Sequence, residues 1–320
     1  MSDTEQGIQE LARKLLEERR VTTIIGYERG SLPLRSTPCF VSDPTDIERL
    51  IWDPTCGPNL AKYLIGRKDR AGIVGKACDV RALVVCIIEK QISRENVVII
   101  GVPCTGVIDN KKVEERLYSR ELKEATIAEG MVTVKEDSTQ SIPLQELMAE
   151  SCTVCNHRNP PTYDFFVGQK VEERPETGEI PEIARLDAML PAERWEHFSK
   201  EFNKCIRCYA CRNVCPLCYC KECFVDQTLP TWLGKTDSLS DIMVFHIVRV
   251  MHVAGRCVGC GACDRACPMG IELRKLTKRM ECLVKDLYDY EAGLDPKEKP
   301  PLASFKPDDS QNFVLGGGLK

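Results

Sequence analysis

Two stretches decide the fold: Cys205-Ile206-Arg207-Cys208-Tyr209-Ala210-Cys211-Arg212-Asn213-Val214-Cys215-Pro216, and its repeat, Cys257-Val258-Gly259-Cys260-Gly261-Ala262-Cys263-Asp264-Arg265-Ala266-Cys267-Pro268. Each fits C-x2-C-x2-C-x3-C-P, a run that holds 4Fe–4S clusters. Three thiolates two residues apart can wrap one cubane in a tight loop whose backbone N–H groups turn toward its sulfurs. The fourth Cys, before Pro, lies beyond that loop and reaches the other cluster. The expected sets are therefore Cys205, Cys208, Cys211 and Cys267 on one cluster, and Cys257, Cys260, Cys263 and Cys215 on the second. Zinc would call for two separated C-x2-C pairs closing one tetrahedron, which these runs are not.

Working outward, the chain has 320 residues, of which 19 are Cys, and it is 43% hydrophobic. That apolar fraction supports a packed core and excludes wholesale disorder. A disulfide scaffold is excluded by length and by the crowding of the thiols, which points to metal. The net charge of −4 comes with no Lys/Arg block, so nucleic acid is not an expected partner. No stretch is long and apolar enough for a membrane span, and Met1–Glu10 has no apolar signal core, so a cytoplasmic protein is expected.

Upstream of the runs, apolar residues alternate between helical and strand periods. Residues 1–20 read as a helix with Ile8, Leu11, Leu15 and Leu16 on one face, followed by a strand, Val21–Ile25, ended by Gly26. Residues 37–41 read as a strand, and Asp43-Pro44 as the start of a helix through Trp52. Strands are expected at 72–74, 96–101 and 131–135, and helices at 79–89, 113–129 and 142–150. This alternation predicts an α/β domain with a mixed or parallel sheet over residues 1–170. A Glu- and Pro-rich linker is expected at 171–190. An α-rich dicluster domain would fill 191–291, with helices at 192–203, 241–254 and 271–290. A flexible tail is expected at 292–320.

Other cysteines are less explicit. If the strands ending before Cys78 and Cys104 are parallel, both thiols open on one sheet edge. There they could meet the pair Cys152 and Cys155 and hold a third cluster; structural thiols are the alternative. Cys86 reads as core. Cys218, Cys220 and Cys223, between the runs, suit packing or further ligation. Met243, His246, Met251 and His252 lie on an apolar helix, where packing is the expectation over haem or metal ligation.

Several segments together resemble the flavin- and iron–sulfur-containing beta-subunit family of coenzyme F420 hydrogenases and dehydrogenases. Gly75-Lys76-Ala77-Cys78-Asp79 through Leu83 is similar to the family's Gly-x-Pro-Cys-Gln…Leu segment. Gly101-Val102-Pro103-Cys104-Thr105-Gly106-Val107 is similar to its second cysteine segment. Ser151-Cys152-Thr153-Val154-Cys155 with Tyr163–Gly168 is similar to its C-x2-C and Ala-Asp-Ile-x-x-Gly block. Lys204–Cys220 most resembles the formate dehydrogenase branch.

The resemblance covers most of residues 20–290 and implies a third 4Fe–4S cluster on Cys78, Cys104, Cys152 and Cys155. It also implies FAD near Gly26, Thr55, Cys56, Gly57, Asn59 and Lys76, which makes residues 1–170 a flavin domain and 191–291 a ferredoxin-type one. The segment Cys56-Gly57-Pro58-Asn59 precedes a short expected helix, Leu60–Ile65, whose N-terminus suits a phosphate, and Lys76 could offset pyrophosphate charge or sit by the flavin ring. No G-x-G-x-x-G is present, so no Rossmann-type dinucleotide site is expected. Ala77-Cys78-Asp79 departs from the family's Pro-Cys-Gln, and the ferredoxin module is C-terminal here. These departures leave the hydride carrier open between coenzyme F420 and NAD(P)H.

The leading expectation is an iron–sulfur flavoprotein subunit of an anaerobic oxidoreductase complex. It would pass electrons to other redox subunits, such as a formate dehydrogenase, a hydrogenase or a heterodisulfide-reductase-like assembly. The alternative is an iron–sulfur relay or scaffold without flavin. An iron–sulfur regulator is disfavoured because no basic DNA-reading helix occurs.

Overall fold

The computed structural model describes residues 2–117, 124–135, 139–175 and 180–304. Helix α1 (Asp3–Glu17) begins at Ser2, whose Oγ accepts from the Glu5 N–H, and it buries Ile8, Ala12, Leu15 and Leu16. Strand β1 (Thr23–Arg29) does not stop at Gly26. A Cβ there would lie 2.6 Å from Leu50 Cδ2, so the glycine admits a close neighbour and does not end the strand. Strand β2 (Ser36–Val41) pairs antiparallel with β1. After it, the helix expected through Trp52 is a short 3-10 turn, Pro44–Arg49, capped by Asp43. A second 3-10 turn, Leu60–Leu64, is capped by Asn59.

The unit β3 (Ala71–Gly75), α2 (Ala77–Ile88) and β4 (Val97–Gly101) forms the centre of the domain. Both strands are buried along their whole length, and they pair in parallel with Gly75 opposite Gly101. With β8 (Phe165–Phe166) the sheet order is β2-β1-β3-β4-β8, with β1, β3, β4 and β8 parallel. The mixed sheet expected from the sequence is thus present among the described residues.

One face of this sheet packs on α1 through Ile24, Val74, Val98 and Ile100. The other face packs on α2 through Ile25, Ile73 and Ile99. That second core also takes in Leu217, Val253, Val258, Val284 and Tyr290 from the cysteine-rich half. The two halves therefore share one core. A bidentate pair reinforces it, Arg256 donating to Glu89 at 2.5 and 2.8 Å.

Residues 113–129 are not one helix. Helix α3 spans Asn110–Leu117, residues 118–123 lie outside the described residues, and Glu124–Ala128 is strand β5. It pairs antiparallel with β6 (Met131–Lys135), which pairs with β7 (Thr139–Pro143). The Glu, Lys and Ala of this stretch favour helix, and cross-strand pairing overrides them. The helix expected at 142–150 is β7 followed by two single turns, α4 (Leu144–Leu147) and α5 (Glu150–Thr153).

Within 171–190 lies helix α6 (Pro181–Ala188), which buries Ile183 and Leu186. Beyond it come α7 (Pro191–Asn203), α8 (Ala210–Asn213), α9 (Leu239–His252), α10 (Ala262–Ala266) and α11 (Leu273–Tyr288). Phe202, Ile242, Phe245 and Ile271 form the core of this half. Of the tail expected at 292–320, residues up to 304 are described and residues 305–320 lie outside the described residues. Among the described residues no helix is long and apolar enough to cross a membrane.

Candidate redox centres

The parallel strands β3 and β4 end side by side, and the Val102 N–H donates to Gly75 O at 3.0 Å. Beyond this edge the chain delivers Cys78 on the first turn of α2 and Cys104 three residues past β4. The arm carrying Cys152 and Cys155 is fixed by its return to the sheet. The Asp164 N–H donates to Ile99 O at 3.0 Å, its carboxylate accepts from the Ile99 N–H at 2.7 Å, and β8 follows. The Cys104 N–H donates to Arg158 O at 2.9 Å. Gly106, at φ +125°, lets the loop close against this arm, since a Cβ there would lie 1.9 Å from Met148 Cε. As a result Cys78, Cys104, Cys152 and Cys155 line one cavity, together with Lys76, Arg81, His157 and Arg265.

Two further cavities belong to the cysteine runs. One is lined by Cys257, Cys260, Cys263 and Cys215, the other by Cys205, Cys208, Cys211 and Cys267. The structure thus groups the cysteines as the crossed sets expected from their spacing, with the fourth member of each coming from the other run. The four thiols of each set line a cavity wall. Among the described residues no three His, Cys, Asp or Glu close on a point as a single ion requires. Four thiols around one space suit a cubane, in which each thiolate binds a different iron.

Burial pushes the Cys78 thiol well up, against the opposing charge of Lys76, and raises Cys104 to about 11 and Cys263 to about 12. Such thiols hold their protons until a metal displaces them. The residues fit the cluster-binding role by donor set, burial and enclosure.

Next to the sheet-edge cavity lies an open cleft of about 550 Å³, within the ordinary range for ligand sites. The two share Lys76, Cys104, Thr105, Gly106 and Val107, so a group seated in the cleft would lie against Cys104. Of the residues expected at a flavin, Cys56 and Lys76 line it, alongside Asp3, Trp52, Asp53 and Gly168. Gly26, Thr55, Gly57 and Asn59 do not.

Each of those four is engaged otherwise. Gly26 is packed against Leu50. The Thr55 N–H donates to Asp53 Oδ1 at 2.7 Å, and Gly57 O accepts from Arg265 at 2.9 Å. Buried Asn59 caps the turn after it and donates from Nδ2 to Cys78 O at 3.0 Å, which makes it a positioning residue for that cysteine.

Lys76 is only 2% exposed. Its three donors go to Asp79 at 2.9 Å, to Pro58 O at 2.9 Å and to the Tyr27 hydroxyl. Burial opposes its charge, but Asp79 and the nearby thiols outweigh burial and hold its pKa above the ordinary lysine value. With every N–H committed, Lys76 has none left for a pyrophosphate. Cleft size and placement fit a flavin, while the phosphate role expected of Lys76 does not.

Three side chains stand near the thiols, and two of them, Arg249 and Arg265, escape sequence reading. Buried His246 stacks on Phe202 with ring centroids 4.5 Å apart, the packing role expected of it. It also brings Nε2 to 3.4 Å from Cys205 Sγ, and burial, aided by Arg249, lowers its pKa to about 3. Arg249 is buried and lines the Cys257 cavity, and Arg265 lines the sheet-edge one. The available signal is a lone arginine on the apolar face of α9, next to Phe245 and His246. Met251 and His252, by contrast, point outward, although the His252 ring meets Phe224 edge-on. Cys218, Cys220 and Cys223 line none of the three cavities, and Cys86 is core.

The chain is 25% identical to the F420-dependent formate dehydrogenase subunit beta of Methanocaldococcus jannaschii, over 92% of this chain and 93% of that one. It is 24% identical to the F420-dependent formate dehydrogenase 1 subunit beta of Methanococcus maripaludis, over 93% and 92% respectively. A chain in a solved structure of the F420-reducing NiFe hydrogenase complex from Methanosarcina barkeri aligns over 48% of this chain and 62% of its own length, at 17% identity and a TM-score of 0.37. Residues 68–179 match the family described as the C terminus of the coenzyme F420 hydrogenase/dehydrogenase beta subunit, and residues 201–271 match the 4Fe-4S dicluster domain family.

Proposed function

We propose that this iron–sulfur protein is the flavin-bearing electron-input subunit of an oxidoreductase complex. It would link a hydride carrier to a partner catalytic subunit through three 4Fe–4S clusters. The observation that carries the reading is the adjacency of four spaces. Arg249 lines the Cys257 cavity and donates to the Cys211 carbonyl of the Cys205 cavity, Cys260 also lines the sheet-edge cavity, and that cavity shares a wall with the open cleft.

The three cysteine sets would hold the clusters, and Asn59 and Gly106 would fix the Cys78 and Cys104 loops. When bound in the cleft, a flavin supplies exchange between a two-electron hydride donor and one-electron carriers. The protein's part is to seat it against Cys104 and to keep water from the buried thiols. Coenzyme F420 is the carrier favoured by the names of the relatives, with NAD(P)H the other candidate. A formate dehydrogenase is the partner that those names favour, ahead of a hydrogenase or a heterodisulfide-reductase-like assembly.

A second reading, a relay without flavin, is favoured by one observation. The side chains facing the cleft include Asp3 and Asp53, while Lys76 is fully engaged, so a pyrophosphate would meet no free cation among the described residues that line it.

The test is iron and acid-released flavin measured on one anaerobic preparation. About twelve iron and about one FAD per chain support the proposal. About twelve iron without flavin, and no binding when FAD is added, select the relay. About eight iron return Cys78, Cys104, Cys152 and Cys155 to structural thiols. With the full complement, Cys104→Ser should remove about a third of the iron and leave the two run-built clusters in place.

A further inference from the structure

An arginine links each successive pair of the three cavities. Arg249, on α9, is 4% exposed and donates from Nη2 to the carbonyl of Cys211 at 3.1 Å, a member of the Cys205 set. The same side chain lines the cavity of the Cys257 set, and its Nε and Nη1 have no hydrogen-bond partner among the described residues. The groups that face its charge are the thiols of Cys263, Cys215, Cys211 and Cys218.

Arg265, on α10, repeats the arrangement one step along. It donates to the carbonyl of Cys260 at 3.0 Å, a member of the Cys257 set, and it lines the sheet-edge cavity. Its further donors reach Gly57 O at 2.9 Å and Ser151 Oγ at 3.4 Å. Its charge is met by Cys152, Cys260 and Cys78 before the more weakly acting Asp109.

A buried cation without a counter-ion is strongly unfavourable, and buried N–H groups without acceptors add to the cost. Arg249 carries both penalties in the protein part alone. Two neighbouring sets of thiolates, with the net negative charge of the clusters they hold, would remove both.

We propose that Arg249 and Arg265 are shared counter-charges, each placed between two clusters so that it stabilises the reduced form of both. This rests on the three-cluster reading given above. A cation held between two centres favours an added electron on either, so its removal lowers both potentials and leaves the distant third cluster unchanged. The two arginines therefore define an overlapping pattern, in which the central cluster is the one that answers to both.

The experiment is an EPR-monitored redox titration with dithionite of the anaerobically reconstituted full chain and of Arg249→Met, Arg249→Lys, Arg265→Met and Arg265→Lys, each with its iron content. In each Met variant two of three one-electron waves should move to lower potential, and a single wave should be common to both variants. A tenfold weaker reduction equilibrium is read as about 59 mV. The Lys variants, which keep the charge, should move the same waves by less.

A shift of one wave only, of all three, or of none, in a variant with full iron overturns the proposal. If a Met variant fails to load clusters, Arg249→Gln or Arg265→Gln, which removes the charge and keeps a polar side chain, decides: movement of the two flanking waves supports the shared role, and unchanged waves refute it. Two clusters rather than three in the unsubstituted chain would instead overturn the third-cluster reading, and the Arg265 half of the proposal with it.

Discussion

The two cysteine runs have the same backbone and opposite side chains at its awkward positions. In the first run Arg207 and Tyr209 stand at φ +53° and +58°; in the second Gly259 and Gly261 stand at +66° and +65°. A left-handed conformation costs a residue with a Cβ roughly 1–2 kcal/mol, so the first run carries a strain that the second avoids. The neighbours explain the difference. Arg207 and Tyr209 bind the first run to its own half: Arg207 donates to Gly234 O at 2.7 Å, and the Tyr209 ring meets Phe245 edge-on at 5.2 Å. Gly261 faces the other half of the molecule, where a Cβ would come within 2.3 Å of Ser151 Oγ and 2.6 Å of Ser151 Cβ. The run that touches the sheet-edge arm is thus the one that needs glycine for space as well as for conformation.

Gly261→Ala is the most direct way to break that comparison. It adds left-handed strain to a clash with the arm that carries Cys152, and should destabilise the protein by about 3 kcal/mol. Iron should be lost from the central and sheet-edge sets together. Ser151→Gly in the same chain should restore part of both, because it removes the clash and leaves the strain. Denaturation midpoints and iron content check this. Full iron and parental stability in the single variant would show that the close approach has no part in docking the two halves.

That contact also marks where the sequence stops being legible. The runs can be read because their ligands are local: spacing alone yields the crossed sets, and the structure groups the same eight thiols in two cavities. The sheet-edge set is dispersed over three segments, and only the parallel pairing of β4 with β3 and β8 brings it together. The strands and α2 are legible from their apolar runs. Residues 124–128 are not, because their composition favours helix and only pairing with β6 makes them a strand. Lys76 misleads for a related reason. A lysine before a helix looks available for phosphate, and nothing in the sequence reveals Tyr27, Pro58 and Asp79 closing around it.

A smaller effect is expected where the second run is anchored by charge. Arg256, directly before Cys257, is clamped on Glu89 of the chain following α2, and Glu89 also accepts from the Tyr219 hydroxyl. Glu89→Ala leaves Arg256 without its carboxylate and should cost about 2 kcal/mol. Hydrogen exchange should quicken around residues 217–219 and 253–258 and stay unchanged around Arg207 and Tyr209. Equal quickening in both runs would mean that they do not differ in how they are docked.

The segment after α11 is tied to the sheet-edge region by Glu291, which accepts from Arg81 at 3.1 Å and pairs with His157. Burial works against the carboxylate, but His157 and Arg81 prevail and lower its pKa from 4.5 to about 2. A carboxylate depressed on folding stabilises in full above its unfolded value and loses that contribution as pH falls toward the folded one. Glu291→Gln should therefore cost about 1.5 kcal/mol at pH 5.5, no less than at pH 8 because His157 is charged only when protonated, with the difference shrinking only below about pH 4.5. Urea titrations at the two pH values test it, and a gap already closed at pH 5.5 would assign the tether to another group.

The finest test compares two substitutions at one position. Tyr209→Ala removes the ring and keeps the left-handed strain, whereas Tyr209→Gly removes both. Their common loss is the ring's contact with Phe245 and with the Arg212 guanidinium, 4.6 Å from its centroid. The difference between the two variants then isolates the backbone, and glycine should be the more stable by about 1 kcal/mol after its greater unfolded-state entropy is counted. In the second run Gly259→Ala should lose a similar amount. A Cβ there meets only Glu281, with Oε2 the nearest atom at 3.3 Å, at the far end of a side chain that can shift. Agreement of these two numbers would establish that the runs bear the same conformational cost wherever a Cβ is present. The larger penalty at Gly261 would then be a property of the interface it faces and not of the cluster loop.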